Sequence, residues 1–64
     1  GGKIYSFYLL NRKQITKAGL DPDLPVYLAM PENPKNKALL FLNQTSKQSA
    51  QTLKEITIAE AFKL

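Results

Sequence analysis

The most regular pattern in the chain is Val26-Tyr-Leu-Ala-Met30, followed after a polar turn by Ala38-Leu-Leu-Phe-Leu42. Both runs are rich in apolar residues, and every second side chain of a strand falls on the same face. The turn between them, residues 31–37, contains two prolines and is long enough for a wide hairpin. The sequence therefore predicts an antiparallel hairpin that pairs residues 26–30 with residues 38–42.

The segment that precedes this hairpin, Lys3 to Leu10, is rich in aromatic and branched residues. Tyr5, Phe7 and Leu9 alternate with a second set that is also largely apolar. A strand that is apolar on both faces is typical of the interior of a sheet. We expect a central strand here, or one that is covered by a helix or by a second subunit.

A short helix is predicted after this strand. Asn11 is a suitable N-cap for a helix over Arg12–Ala18, and Gly19 is a suitable residue for the position just after the helix. Ile15 and Ala18 would then face inward. A helix of about two turns is marginal by itself, so it needs packing against the sheet.

The C-terminal part allows two interpretations. Residues 44–51 are polar and predict an exposed loop. We favour a strand near Lys54–Thr57 followed by a short helix, because Thr57-Ile-Ala-Glu60 has the spacing of a capping box. The alternative is one continuous helix from Thr52, which has the same spacing to Glu55.

These elements predict one small α+β domain over residues 3–64. It would have a three- to four-stranded, mostly antiparallel sheet and one or two short helices. Gly1-Gly2 is typical of a tag-cleavage remnant. The sequence therefore leaves open that the chain is a fragment of a longer one. A domain of 64 residues buries only about 60% of its unfolded surface, and no cysteine is available for a disulfide. We therefore expect a partner, most simply a homodimer, to supply stability.

Catalysis is not expected. The chain has no His and no Cys, and it has no Gly-rich phosphate loop, so the usual nucleophile–base pairs and metal ligands are missing. Asp21 and Asp23 flank Pro22 and predict a turn instead of a metal site. We expect no enzyme activity, no cofactor and no metal. No apolar run is long enough to span a membrane, and the lack of cysteine fits a cytoplasmic protein, although it leaves secretion open.

The charge pattern predicts binding to nucleic acid. Nine basic and five acidic residues give a net charge of +4, and eight of the nine bases are lysines. Lysines bind phosphates as point charges, so backbone contacts with weak sequence preference are expected. Of the two nucleic acids, DNA is the favoured partner. Tyr8 is a candidate for base stacking, and Arg12 is the one candidate for base reading. The predicted phosphate contacts are Lys3, Arg12, Lys13, Lys17, Lys35 and Lys37. A charge of +4 also serves solubility alone, which is the simpler interpretation.

The second function class is a protein-interaction, inhibitory or accessory-subunit module. A strand with two apolar faces often belongs to an interface. Tyr5, Phe7 and Tyr27 are the residues that such an interface would use, although the favoured interpretation of the aromatic residues is that they fill the core.

Residues 14–42 resemble the AbrB-type swapped-hairpin DNA-binding domain. The resemblance rests on Gln14-Ile-Thr-Lys, on Ala18-Gly-Leu-Asp-Pro-Asp and on the two hairpin runs. Lys17 stands where that family usually has a proline, and Pro22-Asp23 replaces its Gly-Asp turn. The resemblance implies an interleaved dimer that binds DNA.

Overall fold

The computed structural model describes residues 4–42 and 52–64. This part of the chain contains a single antiparallel sheet, with its strands in the order of the sequence, and two short helices. The elements are β1 (Tyr5–Leu9), α1 (Arg12–Lys17), β2 (Val26–Pro31), β3 (Ala38–Leu42), β4 (Thr52–Ile56) and α2 (Ile58–Phe62). The predicted α+β class is confirmed. The loop predicted over residues 44–51 lies outside the described residues.

The predicted hairpin forms β2 and β3. Val26 pairs with Leu42 and Leu28 with Leu40, so the strands are antiparallel in the expected register. Pro31 ends β2, and continuing the register would place it opposite residue 37, beyond the end of β3. A proline is tolerated there because no neighbouring strand requires its missing N–H group.

The first strand lies at the edge of the sheet, so the prediction of a central strand is wrong. β1 pairs with β2 alone, from Tyr5 opposite Pro31 to Leu9 opposite Tyr27. After β1 the chain passes through α1, and β2 then pairs with one side of β1. None of the described residues lies along the other side of β1. Apolar residues on both faces therefore do not mark the sheet interior in this case.

The predicted helix forms α1, with both ends defined by local hydrogen bonds. The Asn11 side chain accepts from the Gln14 amide at 2.8 Å, and the Gln14 side chain accepts from the Asn11 amide at 2.9 Å. At the other end, the amides of Gly19 and Leu20 donate to the carbonyls of Thr16 and Ile15. This is a Schellman motif, and it needs the positive φ of 82° that Gly19 adopts.

The C-terminal segment is a strand followed by a helix, so the favoured prediction is confirmed and the continuous helix is wrong. Thr57 caps α2: its hydroxyl accepts from the Glu60 amide, and the Glu60 carboxylate accepts from the Thr57 amide. β4 pairs with β3, with an irregularity of register between Leu40 and Phe41.

The core lies between one face of the sheet and the two helices. Val26 and Leu40 are its largest fully buried side chains, and Ile15 and Ala61 contribute from α1 and α2. No aromatic residue of the described ranges is in this buried cluster, so the interpretation of the aromatics as core is wrong. The Cα atoms extend 34 × 31 × 15 Å, so the molecule is a thin two-layer slab.

Candidate interaction surface

The sheet face that points away from the helices carries a cluster of apolar side chains, which we call the aromatic face. Its residues line a shallow depression of about 430 Å³. They are Tyr5, Phe7, Tyr27, Ala29, Leu39 and Phe41.

The Phe41 ring contacts two neighbouring rings at the middle of this face. The ring centre of Phe41 lies 5.7 Å from that of Phe7, in an edge-to-face arrangement, and 5.8 Å from that of Tyr27, in a stacked arrangement. Ala29 is only 2% exposed and forms the floor of the depression. The arrangement is held by the packing of neighbouring rings, yet Phe7 is still 63% exposed.

The register of the strands explains why these residues meet. Phe7 and Leu39 both stand opposite Ala29, one on each neighbouring strand, and Tyr27 stands opposite Phe41. Directly opposite residues of an antiparallel pair point to the same side of the sheet. Every second residue of β1, β2 and β3 therefore lies on the same surface.

Three residues of this face agree with the sequence analysis, which placed Tyr5, Phe7 and Tyr27 at a protein interface. The structure brings these three together. The sequence analysis missed Ala29, Leu39 and Phe41. The signal was present, because Leu39 and Phe41 alternate with the buried Ala38 and Leu40.

The aromatic face carries almost no charge. Glu55 stands opposite Leu39 and shares this side of the sheet. Among the strand residues that the structure describes, Glu55 is the one charged residue on this side. The face is therefore apolar with an acidic margin.

The predicted basic patch is divided among several surroundings. Arg12 forms an ion pair with Asp23 and donates to the Pro22 carbonyl at 3.4 Å, so its guanidinium already has partners. Lys13 and Lys17 are exposed on α1, one helical turn apart. The remaining predicted bases are at other places: Lys35 and Lys37 are exposed in the β2–β3 turn, and Lys3 lies outside the described residues.

A lysine cleft lies on the helix side, between the end of α1 and α2. It has a volume of about 180 Å³ and is lined by Lys17, Lys54 and Lys63 together with Glu60. The Lys54 ammonium donates to the Ala18 carbonyl at 3.0 Å and thereby caps the C-terminus of α1. The sequence analysis did not select Lys54 or Lys63, because only the fold brings them beside Lys17.

Glu60 is the acid of this cleft. The pKa of its carboxyl group is lowered, first by the hydrogen bond from the Thr57 amide and then by that from the Thr57 hydroxyl. The positive charges of Lys54 and Lys37 lower it further. The carboxylate therefore stays ionised and offsets part of the positive charge around it.

Tyr8, the predicted stacking residue, is not part of the aromatic face. It stands opposite Leu28, on the helix side of β1, and it is 54% exposed at the sheet edge. The lysine cleft and the aromatic face lie on opposite sides of the sheet. Tyr8 instead shares the helix side of the sheet with Lys13 and Lys17 of α1, two of the predicted phosphate contacts.

The described residues contain no group of three acidic, His or Cys side chains that is arranged to hold a metal ion. Asp21 and Asp23 form the predicted turn, in which the Asp23 amide donates to the Asp21 carboxylate at 2.9 Å. Neither helix among the described residues has the length and apolar character needed to cross a bilayer.

No protein family model, no curated protein and no solved structure matches this chain. The resemblance of residues 14–42 to the swapped-hairpin family therefore remains a resemblance. The geometry of the two surfaces is the basis for assigning a function.

Proposed function

We propose that this protein is a non-catalytic interaction module, which binds an amphipathic helix of another protein on its aromatic face. The observation that carries the proposal is the exposure of a contiguous apolar surface on a folded sheet. Phe7 is 63% exposed, and Leu9, which stands opposite Tyr27 and shares this side of the sheet, is 64% exposed. The opposite side of the same sheet is covered by α1 and α2. Contiguous apolar patches on small soluble domains typically mark binding sites.

The dimensions of the face favour a helix. Neighbouring strands lie about 4.8 Å apart, and a helix with its side chains is about 10 Å wide. One helix therefore spans β2 and β3, where Tyr27 and Phe41 lie over the depression. The sheet already accepts helices on its other side, where Ile15 and Ala61 supply the packing residues.

The acidic margin of the aromatic face favours a partner helix that carries a basic residue. A basic residue beside the apolar stripe of the helix can pair with Glu55 at the margin, whereas an acidic residue there is repelled. Single-stranded nucleic acid is a poorer fit, because stacking platforms combine aromatic rings with a positively charged groove.

A second candidate function, phosphate binding on the helix side, is favoured by one observation. Three lysines line a single cleft there, and the chain carries a net charge of +4. This site would bind the backbone of a nucleic acid with strong salt dependence and without base stacking. The ionised Glu60 within the cleft and the bond from Lys54 to Ala18 weaken this candidate.

A displayed library of random peptides tests the first candidate directly. Peptides selected on the wild-type protein are expected to carry apolar residues at helical spacing, and their affinity should fall at least about tenfold for Tyr27→Ser, a loss of about 1.4 kcal/mol. Lys13→Ser, on the opposite side of the molecule, is the matched control and should bind them as the wild type does.

The same preparations are titrated with labelled single-stranded and duplex DNA and with RNA, between about 50 and 200 mM salt. Selected peptides that bind Tyr27→Ser as tightly as the wild type would overturn the helix-binding proposal. Tight oligonucleotide binding that is lost at high salt and in Lys17→Ser, but not in Tyr27→Ser, would establish the second candidate in its place.

A further inference from the structure

Among the residues that the structure describes, no strand pairs with the outer edge of β1, so backbone groups there are without a partner. The Leu10 amide donates to the Val26 carbonyl, and the Glu32 amide donates to the Ile4 carbonyl, each at 3.0 Å. These bonds fix the phase of the ladder: the even-numbered residues of β1 direct their N–H and C=O groups toward β2. Since these groups alternate along a strand, those of Tyr5, Phe7 and Leu9 point away from the sheet.

This edge carries none of the features that protect sheet edges. Natural proteins block such edges with charged residues, prolines or bulges. β1 has the sequence Tyr-Ser-Phe-Tyr-Leu, without a charge or a proline. The opposite edge strand, β4, contains Lys54 and Glu55 and has an irregular register with β3. The sheet is thus protected on one edge and open on the other.

We propose that the β1 edge pairs with the β1 edge of a second copy of this chain, in antiparallel orientation. An antiparallel pair of identical strands is self-complementary about a two-fold axis, which is the symmetry of most homodimers. The register that uses all five residues of both strands places Phe7 opposite the Phe7 of the second copy and Tyr5 opposite Leu9. Three pairs that exchange two bonds each then give about six backbone hydrogen bonds.

The side chains support the same occupant. Phe7 and Leu9 are both more than half exposed in the single chain, and each gains an aromatic neighbour directly across the new strand pair, Phe7 and Tyr5 of the second copy. No charge of β1 opposes the approach of two chains that each carry +4. The two-fold axis is perpendicular to the sheet, so both aromatic faces lie on the same side of one eight-stranded sheet.

This inference goes beyond the proposed function and does not depend on it. Pairing uses the backbone of β1, whereas helix binding uses the side chains over β2 and β3. Phe41→Lys separates the two: it introduces a charge into the aromatic face without changing the edge, so it should abolish peptide binding and leave the dimer intact.

A charge exchange at the two-fold axis tests the pairing and its register. The wild type is expected to have twice the 7.2 kDa mass of the chain in sedimentation and native mass spectrometry. Phe7→Lys and Phe7→Glu should each be monomeric, because like charges are then directly opposite. Mixed in equal amounts, the two variants should form a one-to-one heterodimer.

A second pair of variants tests the role of the backbone. Leu9→Pro removes an outward N–H group and should prevent dimerisation, whereas Leu9→Ala keeps this group and should remain dimeric. Circular dichroism of each variant shows whether the sheet is intact, and the Phe7 pair serves where Leu9→Pro does not fold. A wild type that is monomeric up to about 1 mM overturns the proposal, since that leaves little binding free energy. A dimer that survives Phe7→Lys and is lost in Phe41→Lys also overturns it.

Discussion

At the scale of single residues, Lys54 has a structural role, capping α1, that its sequence position does not reveal. It lies in β4 opposite Leu40, and its ammonium group reaches the Ala18 carbonyl at the end of α1. A positive charge at a helix C-terminus, with a hydrogen bond to an end carbonyl, is favourable in two ways. The bond joins residues that are 36 positions apart and fastens α1 to the far edge of the sheet.

Replacing Lys54 by Met tests this structural role. The variant keeps most of the apolar stem and loses the donor, so we expect the free energy of unfolding to fall by about 1 kcal/mol. Lys63→Met removes the same charge from the same cleft and is the matched control, because no side-chain hydrogen bond of Lys63 is seen in the described part of the chain. Urea denaturation of both variants gives the comparison. An equal loss for both would mean that net charge, and not the bond to Ala18, is responsible.

At the scale of elements, both helices are defined by their caps. α1 and α2 have six and five residues, too few for stable isolated helices, and each has a complete capping box at its N-terminus. The capping sequences are local and therefore readable from the sequence: Asn11 and Gly19 bound α1, and Thr57 with Glu60 begins α2. The hairpin was equally readable, because alternation and a polar turn specify it locally.

What the sequence did not reveal depends on contacts between distant segments. Whether β1 lies at the centre or at the edge depends on which strands pair with it, and no residue of β1 records that. The division of apolar residues between core and aromatic face has the same origin. Val26 and Tyr27 point to opposite faces of β2, and both are apolar enough for a core. Only the position of the helices decides which of the two faces is covered. The lysine cleft likewise joins the end of α1 to α2.

The cap of α2 makes a prediction about pH. The folded state lowers the pKa of Glu60, so its contribution to stability is fully present above the usual carboxyl pKa. That contribution is lost as the pH falls through the lowered value. The Thr57 amide donates to this carboxylate at 2.9 Å, so its NMR shift should titrate at a pH below that of an ordinary glutamate.

Glu60→Gln retains a side-chain acceptor but cannot titrate. In this variant the acid-induced shift of the Thr57 amide should disappear while the amide stays hydrogen-bonded. Thr57→Ala removes the other half of the capping box and should lower the free energy of unfolding by about 1 kcal/mol at neutral pH. A titration of the Thr57 amide that persists unchanged in Glu60→Gln would assign it to another group.

At the scale of the whole molecule, stability and recognition are assigned to opposite faces of one sheet. The core holds no aromatic side chain in the described ranges, and its largest fully buried residues are Leu40 and Val26. Aromatic residues usually supply the most buried area, yet four of them, Tyr5, Phe7, Tyr27 and Phe41, are on the other side. The 15 Å thickness corresponds to one sheet and one layer of helices, so residues 4–42 and 52–64 form no second layer over that side.

This division predicts different effects for two substitutions on opposite faces of the sheet. Leu40 is fully buried, and Leu40→Ala should cost about 2 to 5 kcal/mol. A domain of this length has a total stability of only about 3 to 10 kcal/mol, so this variant should lose a large fraction of it. Phe7→Ser should cost less than about 1 kcal/mol, because the ring it removes is mostly exposed. Urea denaturation of the monomer at low protein concentration measures both. A small loss of stability is expected, because Phe7 contacts Phe41 in an edge-to-face arrangement. A loss as large as that of Leu40→Ala would make the aromatic face a second core. It would then no longer be justified to treat this face as a binding surface.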